Sequence, residues 1–170
     1  SNQANPVGTV YLGVPSAYSV ALVPPLLHRM RTLYPNISVH IVEAFSGTVY
    51  EWLINGRLDL AILYYSKEHS AAVMSPFIEE DMVALGTTEM LENKLEKPIA
   101  NLAQQKLITA WRPHMHRLTL DAAFVAADVP FEPRIEIDSL PCMIELAHRG
   151  EGIAILPPSC VARKLADGRL

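Results

Sequence analysis

The sequence predicts an α/β fold of two Rossmann-like lobes, and three observations predict it. Strand-like and helix-like patterns alternate along the whole chain. Two short continuous apolar runs, at 58–63 (LDLAIL, broken only by Asp59) and 153–157 (IAILP), read as strands covered on both faces. A polar connector, YYSKEHSAAVMSP from Tyr64, separates one alternating block from the next. The chain has 170 residues, 50% of them apolar, enough for one core or two small lobes.

Residues 9–14 (TVYLGV) alternate as a strand, and 17–34 follow as a helix with Leu22, Val23, Leu26, Leu27, Met30 and Leu33 on one face. Pro24 and Pro25 suit only a first helical turn, so a start or a kink is expected there. Tyr34-Pro35 ends the helix. Residues 37–42 (ISVHIV) form the second strand. In SGTVYEWLINGRLDLAIL, Thr48 to Glu51 fits a capping box with Ser46 as a competing cap. Val49, Trp52 and Leu53 supply the apolar face, and Gly56 sits where a left-handed helix end is needed. The strand at 58–63 then completes a βαβ unit.

Further on, strands are expected at 82–85, 107–111 and 134–138, with helical patterns at 88–95 and before Pro130. Ser139 caps a helix in which Leu140, Ile144 and Ala147 share a face, and 159–166 is a last helix. The expected organisation is a first lobe of 8–64 and 137–170 with a second lobe, 65–136, inserted. Two crossings, near 64–65 and 136–138, would form a two-strand hinge.

Composition narrows the function. Net charge is −4 and no Lys/Arg run occurs, whereas phosphate-backbone binding needs a basic face. Cys142 and Cys160 form neither a disulfide framework nor a metal spacing, and reduced thiols are expected. No stretch has the length of a membrane helix, and the first six residues lack the features of a signal peptide.

Four segments, VYLGVPSAYSVALVPPLLHRMRTLYPNISVHIVE, SGTVYEWLINGRLDLAIL, RPHMHR and IDSLPCMIELAHRGEGIAILPPS, occur in an order and spacing that resemble the effector-binding domain of LysR-type transcriptional regulators. The resemblance covers the chain from Gly8 onward. It implies a type II periplasmic-binding-protein fold with a small-molecule effector between two lobes, and no cofactor. It also implies a homodimer, or a tetramer in the intact cytoplasmic protein, pairing the first lobe's helix with the second's. Promoter DNA would be bound only through an N-terminal winged helix-turn-helix that is absent from this sequence. The family pattern also continues past Leu170 with another strand and helix. In this family GRLDLAI is structural, and Asp59 is given no chemistry.

Ligands of open α/β sheets bind beyond the carboxyl ends of strands, where helices begin. Helix starts are expected at Ser16-Ala17, Ser46-Gly47-Thr48 and Ser139-Leu140, all three in the first lobe. Their N–H groups suit a carboxylate, and an acid effector is expected at Ser16, Ser46 and Thr48. Trp111, Arg112, His114 and His116 are candidates for the opposite wall, with Tyr64 at the hinge. Two histidines make no closed metal site, so no metal is expected. Cys142 is expected to be a buried, inert thiol.

Two rivals share the architecture. An extracytoplasmic solute-binding protein would need a signal peptide or lipobox upstream. A prephenate-dehydratase-like enzyme would need a Thr-Arg-Phe signature, which does not occur. No nucleophile–base–orienter set and no phosphate-cradling glycine loop is visible, so no enzyme activity is expected.

Overall fold

Two sheets organise the chain, one parallel and one mixed, each in its own compact unit: residues 1–78 and 79–170. The computed structural model describes residues 5–64, 71–91 and 99–162. Among these no helix is long and apolar enough to cross a membrane.

In the first unit, β1 (Gly8–Val14), α1 (Ser16–Leu33), β2 (Ile37–Glu43), α2 (Ser46–Ile54) and β3 (Leu60–Ala61) alternate, and the sheet order is β2-β1-β3, all parallel. Leu12, Val14 and Tyr18 form the buried centre, packed by Leu22, Val23 and Leu26 of α1 and Ile41 of β2. That packing carries α1 through Pro24 and Pro25, so the expected start or kink there gives way to one helix of 18 residues. Both prolines are exposed, as are Val20 and Ala21, whose carbonyls lose their helical partners to the prolines and face water instead. The expected apolar face is only partly covered: Leu27 and Leu33 are exposed.

Gly13 shows why α2 sits so close to β1. A Cβ there would lie 2.4 Å from Val49 Cγ1 and 2.8 Å from Leu58 Cδ1. Gly56 ends α2 as expected, at φ +68°, with its N–H donating to Leu53 O and that of Arg57 to Trp52 O. The capping box does not form. Phe45 O accepts from Val49 N–H at 3.0 Å, so the helix begins at Ser46 and Thr48 already lies within its first turn. Asp59 is structural: its carboxylate accepts from Tyr11 N–H at 2.8 Å while Asp59 N–H donates to Tyr11 O at 2.9 Å. The strand expected over 58–63 is short, and Leu60 is 60% exposed rather than covered on both faces.

The second unit contains β4 (Val83–Leu85), α3 (Thr88–Leu91), α4 (Ile99–Leu102), β5 (Leu107–Thr109), α5 (Met115–Ala126), β6 (Ile135–Glu136), α6 (Leu140–His148), β7 (Ile153–Leu156) and a 3₁₀ turn at Pro158–Cys160. Its sheet order is β4-β7-β5-β6, with only β4 antiparallel. Strand alternation divides the core into two faces. Ile108, Ala154 and Leu156 pack with Met143, Ile144 and Ala147 of α6. Leu107, Ile153 and Ile155 pack with Leu120 and Phe124 of α5. Phe124 is fully buried, which is worth about 1.5–3 kcal/mol.

This topology corrects the expected grouping of 137–170 with 8–64. Ile108 pairs with Ile135 and Ile137 N–H donates to Thr109 O at 2.9 Å, so residues 134–138 stay in the second sheet instead of leading back to the first. The buried strand at 153–156 is central to that same sheet. The reason is local: a parallel strand following α5 finds its nearest open edge on β5. Residues 92–95 and 163–166, expected as parts of helices, lie outside the described residues.

Candidate functional site

At the carboxyl edge of the first sheet, β1 runs into α1 and β2 into α2. Both helices begin with no side-chain cap and no acidic residue in the first turn. Among the described residues, their leading N–H groups and partial positive charge are therefore left for another acceptor. Ser16 and Ala17 are half-buried, Ser46 is buried, and Gly47 and Thr48 are exposed. Tyr64 joins them just beyond β3: its N–H donates to Ser46 Oγ at 3.3 Å, and its ring lies 5.8 Å from that of Tyr18 in α1. The structure thus gathers Ser16, Ala17, Ser46, Gly47, Thr48 and Tyr64 at one sheet edge. An anion there would gain about 0.3–1 kcal/mol from each helix end, plus charge-assisted hydrogen bonds from the amides.

Ser139 and Leu140 do not belong to this group. They follow β6 in the second sheet, and Ser139 Oγ is already occupied as the cap of α6, accepting from Cys142 N–H at 3.4 Å. They lie instead at the same sheet edge as Trp111, Arg112, His114 and His116, which follow β5. Trp111 is 56% exposed, and its indole N–H meets His114 Nε2 at 3.1 Å. Asp138 Oδ1 lies 2.9 Å from the same nitrogen.

Arg112 is exposed and donates through Nε to Asp121 Oδ2 at 2.7 Å. Asp121 Oδ1 accepts from Arg117 Nε at 2.9 Å, and Arg117 also pairs with Glu136. The hydrogen bond from Arg112, against some burial and helped by Arg117, holds the Asp121 carboxyl below the usual carboxylate range. Arg117 is buried under the Phe131 ring, 5.0 Å from its centroid. Sequence reasoning missed this Arg112–Asp121–Arg117–Glu136 chain. The available signal was the spacing of Arg117 and Asp121, one helical turn apart.

His116 is tied into the core. Its Nε2–H donates to Ile155 O at 2.7 Å, and its Nδ1 faces Thr109 Oγ1 at 3.5 Å. Burial pushes its pKa down from the ordinary imidazole value. Also missed was the start of α5, which like α1 and α2 has neither a side-chain cap nor an acid in its first turn. Among the described residues no group of three or more His, Cys, Asp or Glu could hold a metal. Cys142 is exposed, not buried as expected, because it lies on the outer side of α6's first turn. Cys160 is the sheltered thiol, pushed up to about 12 by burial and by Glu80.

Two α/β units built on mainly parallel sheets define the fold class, a type II periplasmic-binding-protein-like fold. The sequence matches the family described as LysR substrate binding domain over residues 3–170, and the chain belongs to that family. It is 28% identical over 164 residues to the HTH-type transcriptional regulator BbuR of Bordetella bronchiseptica, covering 96% of this chain and 50% of that protein. It is 30% identical to the regulator TtuA of Agrobacterium vitis, covering 86% of this chain and 49% of the other. The chain therefore spans about half the length of these relatives. Among solved structures, the effector-binding domain of QuiR in complex with shikimate superposes with TM-score 0.81 at 18% identity, over 89% of this chain and 74% of that one. The reduced form of OxyR gives TM-score 0.74 at 25% identity, over 91% and 73%.

Proposed function

We propose that this chain is the effector-sensing part of a bacterial, cytoplasmic LysR-type transcriptional regulator, and that its effector is a small organic acid. The observation that carries the ligand class is the pair of uncapped, acid-free helix starts at Ser16-Ala17 and Ser46-Gly47-Thr48. An acidic protein (net charge −4) in which no described side chain caps two positive helix ends at one sheet edge is suited to a small anion. Tyr64 lines the same edge, and the second unit offers Trp111, Arg112, His114, Ser139 and Leu140 at its own. His116, with its ring engaged inside the unit, contributes by holding the start of α5 in place.

Binding would bias the arrangement of the two units, and through it DNA-binding heads carried elsewhere in the intact regulator. The exposed apolar positions Val20, Leu27 and Leu33 of α1, and Leu118 and Val125 of α5, support a homodimer that pairs these helices, or a tetramer built from such dimers. No catalysis is proposed, and the relatives named above are regulators rather than enzymes or solute-binding proteins. Calorimetry with a panel of small carboxylic acids and their amide analogues tests the reading. Acids should bind and amides should not; binding of neutral compounds alone would overturn it.

A further inference from the structure

One nitrogen in the β5–α5 turn is asked to do two incompatible things. His114 Nε2 lies 3.1 Å from the indole Nε1 of Trp111 and 2.9 Å from Oδ1 of Asp138. An indole N–H only donates and a carboxylate only accepts. In the neutral tautomer with its proton on Nδ1, a bare Nε2 accepts from Trp111 and presents its lone pair to the carboxylate. A protonated Nε2 donates to Asp138 and turns its own N–H against the indole. The two contacts are alternatives selected by one proton, and both lie within hydrogen-bond distance without any backbone movement.

The remaining charges around the turn do not supply this selection. Arg112, Asp121, Arg117 and Glu136 form a continuous chain of opposite-charge pairs. His116, on the first turn of α5, has both ring nitrogens engaged, by Thr109 and the Ile155 carbonyl. Trp111 itself is 56% exposed, so its ring can leave the turn at little cost in packing.

We propose that His114 and Asp138 form a proton-operated latch on the Trp111 indole: closed on His114 when Nε2 is bare, open when Nε2 is protonated and paired with Asp138. The open state frees an aromatic face at the carboxyl edge of the second sheet. Its use there to cover a bound effector rests on the ligand-binding reading above; the latch itself does not.

The test is an NMR titration of the ¹⁵N-labelled protein without ligand, across about pH 5.5 to 8.5, the range in which imidazole chemistry changes. Indole N–H signals stand apart from the rest of the spectrum, and Trp52→Phe removes the other tryptophan. The Trp111 signal should move upfield in one sigmoidal step as pH falls and its hydrogen bond is lost. His114→Gln should abolish the step. Asp138→Asn should change the step, because the carboxylate that a protonated Nε2 pairs with is gone. A Trp111 signal that is flat across the range overturns the latch, as does a step that persists in His114→Gln or ignores Asp138→Asn. Because no effector is present, failure to bind organic acids leaves this result untouched, and a flat indole signal leaves the ligand reading untouched.

Discussion

Replacing Gly13 by Ala tests the packing that sets the position of α2, and with it the Ser46-Gly47-Thr48 end. The added methyl would stand 2.4 Å from Val49 Cγ1 and 2.8 Å from Leu58 Cδ1, well inside contact distance. Val49 is fully buried and Leu58 nearly so, at 0% and 6% exposure, so neither has free space to retreat into. Overpacking of this kind costs about 1–3 kcal/mol. The backbone at Gly13 is ordinary strand, so the loss of unfolded-chain freedom returns about 0.4–1 kcal/mol. The net expectation is a loss of about 1–2 kcal/mol, or roughly 2–8 °C in Tm for a chain of this size. Thermal and urea unfolding of Gly13→Ala, Val49→Ala and the double variant supply the assay. In the Val49→Ala background the nearest obstructing methyl is gone, so Gly13→Ala should cost about 1 kcal/mol less than in the parent. Equal costs in the two backgrounds, or a Gly13→Ala protein as stable as the parent, would refute the reasoning.

Three other outcomes follow from named groups. Asp128 holds φ +54° at the end of α5, with its N–H on Val125 O and that of Val129 on Phe124 O, so Asp128→Gly should stabilise by about 0.5–1 kcal/mol in urea unfolding. At pH 8 the exposed Cys142 should react with a thiol reagent in the folded protein, while Cys160, pushed up to about 12, should react only on unfolding, as mass spectrometry would show. His116 is depressed by burial below the ordinary 6.5, so the unfolded chain takes up its proton at a higher pH than the folded one does. Its contribution is therefore present above about pH 6.5 and lost as pH falls through the folded value, and His116→Gln should flatten that part of the stability–pH curve.

Much of the first unit was legible because its signals are local. Alternation marked β1 and β2, helical spacing marked α1 and α2, and Gly56 marked a helix end that only a positive φ satisfies. What was misread depended on distant partners. Pro24 and Pro25 argue against an uninterrupted helix, yet Leu22, Val23 and Leu26 anchor both sides of them against Leu12 and Val14. The run at 153–157 announced burial but not which sheet would bury it; pairing with Val83–Leu85 and Leu107–Ile108 decides that. Ser139 was recognisable as a cap, and its assignment to the first sheet failed for the same reason. The apolar spacing of α5 announced a helix, but the Arg117–Glu136 pair joins α5 to β6 and is visible only once β6 lies beside β5.

The helix-end account of the ligand is tested most directly by backbone amide shifts on adding a small carboxylic acid that binds. The signals of Ser16, Ala17, Ser46, Gly47 and Thr48 should move together and saturate with one affinity, and the acid's amide analogue should move none of them. An acid that binds while these five amides stay still would contradict the account.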